Sequence, residues 1–572
     1  MLASVGRRGG ARRVVLLAGA GVAIVCWLIY CWALTLSVPA GLDVFDFANN
    51  LLYAQDMLHG NWLLHGWVVT QDPHWFTDDM VYVLGLRLRG FDPVLLHAVP
   101  MFVYLVLMVL VASVSVVGLD LRGTDRAMII GIALLPLLFP SPALASQVLI
   151  GPYHTGTTAV ALGAILALRV SAGRRGRAAA AGLIGAGLLL AMGRVGDPYM
   201  LTLGILPIIL VSLYGWLVQP GSARDGWSTR ALWVALAAWI AAAGVLWLVP
   251  RLGGFTMRLS LSDIIPLSEL VPRAVDFIRT FLDLTGANFF GMSLGSHHGQ
   301  LLSAMVRFGY LCAVLWAVAR AVVQVARGAL ADWVTVVVTT AVLLSAAGTF
   351  LYGPGDYLGD EHRTPVFLLA VIVFARTVAS GYRGWLAEPR RKGALASALL
   401  VGAVVFVFGI PPIHLRHPEG FDNPEKFHQI VLARWLDQHG FQSGYGPYDE
   451  ASIVTVETAG RVTVRPLIST GQYASIPRSA TTLVPNIELM ASNAWFTSAH
   501  PATFLIVDGG DVDDLIARRT FGEPDHIYQV GDFHVLTWKD GILCTLPALT
   551  PAVREQEAGG VPPQGASCRR LE

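Results

Sequence analysis

The sequence predicts a polytopic α-helical membrane protein of about eleven spans with a C-terminal α/β domain, and three observations carry that prediction. Hydrophobic residues make up 54% of the 572-residue chain and charged residues 14%, where a soluble globule would hold charge at roughly a quarter of its positions. Apolar runs near or above the roughly 18 residues that cross a bilayer recur throughout the stretch before Pro411-Pro412. After that pair the composition shifts to that of a soluble domain of about 160 residues.

The first apolar run, 14–36, follows Arg7, Arg8, Arg12 and Arg13. It is too long for a signal peptide and lacks a small-residue cleavage site, so it reads as an uncleaved anchor with a cytoplasmic N-terminus. Further runs fall near 94–118, 127–145, 155–172, 178–193, 199–218, 231–250, 301–322, 333–352, 364–380 and 394–412. Counted from an inner N-terminus, the inner loops receive Arg122 and Arg126, then Arg174, Arg175 and Arg177, then Arg224 and Arg230, then Arg327, then Arg383, Arg390, Arg391 and Lys392. Each cluster falls where the positive-inside rule wants it. The outer side receives an acid-rich loop (37–93), turns at 147–154, 194–198 and 353–363, a loop at 251–300, and everything after 411. The expected location is the cytoplasmic membrane, multi-pass, with the C-terminal domain extracytoplasmic.

That domain spans 413–555. Residues 423–439 form an amphipathic pattern with Phe427, Ile430, Val431, Trp435 and Leu436 on one face. Strand-like runs follow at 452–457, 462–466 and 503–507, then a helix near 512–519, then a hairpin of 526–530 with 533–538 across Gly531-Asp532. The Pro/Gly-rich tail 556–572 reads as disordered. Cys26, Cys31 and Cys312 lie in apolar spans as small hydrophobes. Cys544 and Cys568 lie in the soluble portion and could pair in an oxidising compartment.

Several function classes lack their necessary residues. The chain has no Walker loop, dinucleotide fingerprint, HExxH or paired CxxC, and its net charge of +1 gives no reason to expect a nucleic-acid partner. An outward-facing site has no ready access to cytosolic ATP or nucleotide sugars, so any transferred group should arrive on a lipid carrier.

The acid-rich loop is the strongest candidate for chemistry, because Asp43, Asp46, Asp56, Asp72, Asp78 and Asp79 gather there in a chain otherwise poor in charge. Residues 46–62 alternate apolar and polar faces at helical spacing and stop at Gly60, a pattern that suits a helix lying flat in the membrane interface. Asp46 opens that helix, where the dipole favours a carboxylate. A helix cap and a catalytic carboxylate remain equally open readings of it. Trp62, Trp67, Trp75 and Phe76 could stack on sugar rings, and an interfacial aromatic belt explains them as well.

On the acid after the first span, the Tyr53-Ala54…Met57-Leu58…Gly60-Asn61-Trp62 segment, the Asp78-Asp79 pair and the C-terminal outer domain, the chain resembles the GT-C superfamily. These are membrane glycosyltransferases that take sugars from polyprenyl-phosphate carriers. It looks most like the branch of protein mannosyltransferases and lipid aminoarabinose transferases. The resemblance implies a polyprenyl-phosphate-linked sugar donor, a lipid, glycan or protein acceptor, contact with membrane lipids, and a carboxylate acting as general base on the acceptor hydroxyl. Those families commonly show a close acidic pair where this chain has Asp43-Val44-Phe45-Asp46. Asp46 matches better by its helix position, with Asp43 second.

Asp78 or Asp79 could orient the acceptor or hold a divalent cation, Mg or Mn, although an isolated Asp-Asp pair points only weakly to metal. No other cofactor is expected. The leaving phosphate needs positive charge and donors, for which His362 and Arg363 lead, followed by Arg194 and Arg258. Arg363 could instead be an interface anchor or pair with Asp360 or Glu361, and Arg194 could pair with Asp197 at the tip of a hairpin. His154 and His297-His298 could shuttle protons or contact phosphate. The rivals from other classes are a transporter or flippase for a lipid-linked saccharide and a non-catalytic envelope assembly protein.

Overall fold

The computed structural model describes residues 21–36, 44–150, 153–218, 227–257, 264–290, 298–328, 332–351, 360–381, 397, 402, 428–472, 480–486, 490–497, 501–508, 511–546 and 566–571. From the amino end these form α1 (Gly21–Leu36), α2 (Val44–Leu58), the short strand β1 (Trp67–Val69), α3 (Asp79–Arg89), α4 (Leu95–Val116), α5 (Gly123–Leu138) and α6 (Pro142–Ala145). Next come α7 (Thr155–Ala172), α8 (Arg177–Gly196), α9 (Leu206–Val218), α10 (Trp227–Arg251), β2 (Thr256–Met257), α11 (Leu270–Thr285), α12 (His298–Ala326), α13 (Trp333–Leu351) and α14 (Asp360–Gly381).

Seven of these helices are long and apolar enough to cross a membrane: α4, α7, α8, α10, α12, α13 and the Glu361–Ser380 part of α14. The chain is a polytopic helical membrane protein. Against the expected count of about eleven, the other four runs behave differently. Run 127–145 breaks by 88° between Gly123–Leu138 and Pro142–Leu149, because Pro140 and Pro142 cannot continue the helical hydrogen-bond ladder. Ser141 caps the restart by accepting the Leu144 amide at 3.0 Å. Run 199–218 appears as the shorter apolar helix Leu201–Leu217, and of run 14–36 the described part, 21–36, is the apolar helix Gly21–Leu36. Run 394–412 lies almost wholly outside the described residues.

The C-terminal region continues with α15 (His428–Gln438), β3 (Ser443–Gly446), α16 (Tyr448–Glu457), β4 (Thr463–Ser469), β5 (Leu483–Pro485), β6 (Ala491–Ser492), α17 (Ala494–Thr497), β7 (Ala502–Asp508), α18 (Asp511–Phe521), β8 (His526–Val530), β9 (Phe533–Thr545) and β10 (Ser567–Arg570). Its sheet runs β10-β9-β7-β3-β4-β5, with β8 beside β9. Strand β3 is parallel to both β4 and β7. The expected helices near 423–439 and 512–519, the strands at 462–466 and 503–507, and the hairpin across Gly531-Asp532 all have counterparts here. Two expectations fail. Residues 452–457 form the second half of α16 instead of a strand, and 567–570 of the supposedly disordered tail pair with β9. There Cys568 stands directly opposite Cys544 and the two are joined as a disulfide.

A second, three-stranded sheet, β2-β1-β6, brings together three distant parts of the chain. In it the acid-rich loop pairs with the 251–300 connection on one side and the C-terminal region on the other. Beneath it lies a shared apolar core in which Phe47, Tyr53, Met57, Trp67 and Trp75 of the loop meet Phe255, Ile453, Val456 and Met490. The apolar face of helix α2, expected to be free for the membrane interface, is therefore occupied by protein contacts: Phe47, Ala48, Leu51, Ala54 and Met57 are all buried.

Candidate functional site

Asp46 stands in the first turn of α2, half-buried. Its carboxylate accepts a hydrogen bond of 2.7 Å from the Tyr448 hydroxyl, at the start of α16. One turn on, Asn49 donates to the same hydroxyl at 3.3 Å and accepts from Ser452 at 2.6 Å. Residues some 400 positions apart thus meet face to face on α2 and α16. The Phe47 ring lies 5.0 Å from that of Tyr153, which sets the start of α2 beside the entry to α7.

The chain between α2 and α3 is held by a turn at His74, whose carbonyl accepts the amides of Thr77, Asp78 and Asp79. The His74 amide donates to Gly196 at 2.9 Å, tying the turn to the end of α8. Asp78 and Asp79 are wholly buried, and among the described residues their four carboxylate oxygens have no well-formed hydrogen bond, Asp78 having only the Thr77 hydroxyl near it. Asp78 lies against the first turn of α7, where a Cβ on Gly156 would stand 2.3 Å from its Oδ2, so only glycine leaves it room. His74 approaches both Asp72 and Asp78 to 3.7 Å. Burial pushes Asp78 up to about 6 against the partial relief of His74. It pushes Asp79 well above the usual carboxylate range, and the neighbouring Asp78 adds to the shift. A buried carboxylate without donors is costly, and both groups are accordingly shifted toward the protonated carboxyl.

Across α7 and α8, His154 and Asp197 form a buried pair at 2.7 Å. Burial disfavours the imidazolium, but the Asp197 carboxylate outweighs it and raises His154 to about 9. Burial likewise opposes ionisation of Asp197, and the imidazolium overrides it to hold that carboxyl below its usual range. The second oxygen of Asp197 accepts the Tyr199 amide at 2.7 Å. The His154 ring stacks on Tyr199 at 4.5 Å and meets His362 edge-on at 4.8 Å. Its Nε2 has no partner among the described residues. A cationic N–H is therefore available beside a second, partly exposed histidine, His362, whose Nδ1 contacts Glu361 at 3.2 Å.

The remaining expected residues divide. Arg194 sits in the last turn of α8 without a hydrogen bond or ion pair among the described residues. Asp197, its expected mate, is held by His154 instead. Arg363 is already engaged: it is buried, and its guanidinium donates to the Asp276 carboxylate and the Thr280 hydroxyl on α11. Its guanidinium is thus tied to α11. Asp43, Arg258 and His297 lie outside the described residues. Among the described residues no group of three or more His, Cys, Asp or Glu side chains is disposed to hold a metal ion, and Asp78-Asp79 gains no third ligand. Tyr448, Asn49, His74 and Tyr199 escape a reading of the sequence. Of these His74 alone had a local signal, its place in the compact polar run His74-Trp75-Phe76-Thr77-Asp78-Asp79.

Compared with known proteins, the chain matches no family model and no curated protein sequence.

Proposed function

We propose that the protein is a membrane glycosyltransferase of the GT-C kind, moving a sugar from a polyprenyl-phosphate carrier to a hydroxyl acceptor on the extracytoplasmic face. The observation that carries this reading is the meeting of opposite chemistries at one place. Asp72 and Asp78 of the acid-rich loop lie within electrostatic reach of a buried imidazolium, His154, whose Nε2 has no partner among the described residues. Glycosyl transfer from a phosphate needs both. As the acceptor oxygen bonds to the anomeric carbon, its proton passes to Asp46. The bond from that carbon to the phosphate oxygen breaks and leaves its electron pair on the phosphate. His154, with the His362 ring edge-on to it at 4.8 Å, supplies the positive charge that the departing phosphate requires. Asp78 and Asp79 would accept hydrogen bonds from sugar or acceptor hydroxyls.

The orientation is supported by the placement of the basic loops and by the Cys544–Cys568 disulfide, which suits an oxidising compartment. Asp46→Asn keeps the shape of the side chain and its contact with Tyr448 while removing the base. Transfer should fall by about 10²–10⁴-fold, read by mass spectrometry of lipid-linked sugars and envelope glycans in cells carrying each form. An inserted, folded Asp46→Asn protein with full activity overturns the reading. The buried, protonatable Asp78-Asp79 pair also favours a second reading, proton-coupled movement of a lipid-linked saccharide. In that case cells lacking the protein would accumulate the carrier-linked sugar on the cytoplasmic side, with no transfer by the purified protein.

A further inference from the structure

Helix α11, in the connection between α10 and α12, is strongly amphipathic and three-sided. At 100° per residue its side chains fall into three arcs. One arc is buried against the protein and includes Arg273, Thr280, Phe281 and Leu284. A second carries the charges Asp276, Arg279 and Asp283, with the side chains of Asp276 and Arg279 57% and 75% exposed. The third is apolar and, over the first half of the helix, open: Val271, Val275 and Ile278 are 73%, 62% and 61% exposed, and Leu267, just before the helix, is 85% exposed, whereas Leu282 and Thr285 farther along the same arc are buried. A helix washed by water would not carry an unbroken apolar row on its open side, and one inside the protein would have that row covered. Helix α12, against which α11 packs, likewise exposes Leu302 and Met305 near its start, in a span whose lipid-facing side must be apolar.

We propose that α11 lies in the plane of the membrane interface, with Leu267, Val271, Val275 and Ile278 immersed in the acyl chains of one leaflet and Asp276, Arg279 and Asp283 at the headgroups. The occupant of the open face is membrane lipid. Because Asp276 and Thr280 grip Arg363, and Arg363 follows His362 at the start of α14, this seating fixes the site at headgroup depth. The inference is independent of the reaction catalysed.

The test uses full-length protein in which the exposed Cys26 and Cys312 are replaced by alanine; Cys31 is buried and stays. Single nitroxides are attached at Val275→Cys, Ile278→Cys and Arg279→Cys, and the protein is reconstituted in vesicles of phosphatidylcholine with phosphatidylglycerol. Collision with oxygen relative to a water-soluble nickel chelate should be severalfold higher at 275 and 278 than at 279. Nickel access at 275 and 278 equal to that at 279 places the face in water and overturns the proposal. Weak collision with both reagents there shows a protein cover, such as a second copy, and overturns it too. If a label at 275 prevents folding, 278 and Val271→Cys report the same face.

Discussion

His154 carries charge where burial forbids a lone one, so its stability contribution must depend on Asp197 and on pH. Its folded value of about 9 lies above the ordinary 6.5. A raised basic group stabilises the folded state fully below its unfolded value and loses that contribution as pH rises through the folded one. Asp78, raised from 3.8 to about 6, acts in the same direction over a lower window. The expectation is a thermal unfolding midpoint, followed by tryptophan fluorescence in detergent, that declines between pH 6.5 and 9. Asp197→Asn should flatten that slope and lower the whole curve, since breaking a buried pair costs about 3–5 kcal/mol. Wild-type stability that rises across the window would show that His154 is not held as an imidazolium by Asp197. Asp197 gives its short contact to His154, and Arg194, three residues away in sequence, feels that carboxylate only as a neighbouring charge.

Between elements, the decisive contact is α2 on α16, and it can be weighed without knowing the substrate. Tyr448→Phe removes one hydroxyl and leaves the ring. A hydrogen bond to an ionised carboxylate is worth about 1.5–3 kcal/mol, so the substitution should cost that much in the native background and far less where Asp46 is already alanine. Equal costs in the two backgrounds would show that the contact contributes no coupling. This contact also marks where sequence reading runs out. Periodicity exposed the helices whose one face is apolar, α15 and α18, and alternation exposed the β8–β9 hairpin. It misread α16, because residues 451–456 are buried on every side and the β-branched Ile453, Val454, Thr455 and Val456 have the composition of a strand. The acids of the loop were legible by their clustering in an apolar chain. Their partners were not, since Tyr448 and Ser452 reach the loop only through tertiary packing. The same limit applies to the span count: apolar length finds α4 or α13, but it does not register that Pro140 and Pro142 turn one run through 88°.

For the molecule as a whole, the C-terminal region is built into the membrane part and is not a detachable module. Strand β6 pairs with β1, the Asn493 amide donates to Gly66 at 2.9 Å, and the Trp495 ring lies 4.8 Å from Trp67. Ile453, Val456 and Met490 supply part of the core on which the acid-rich loop rests. Ending the chain at residue 420 would therefore strip the loop of a strand, a hydrogen-bonding wall and buried apolar contacts at once, and the loop should become open to protease while α4 and α7 to α14 still insert. The disulfide allows the opposite, local perturbation. Cys544→Ser with Cys568→Ser removes the covalent tie between β10 and β9 and leaves only their strand pairing. Closing a loop of 24 residues stabilises by about 3 kcal/mol in the chain-entropy view, so the double variant should unfold at lower temperature while the β1–β6 pairing and protease resistance of the loop persist. If instead the truncated protein kept a protease-resistant loop, the three-stranded sheet would not be what holds it. The acid-rich segment would then fold on the membrane helices alone, with the C-terminal region merely resting against it.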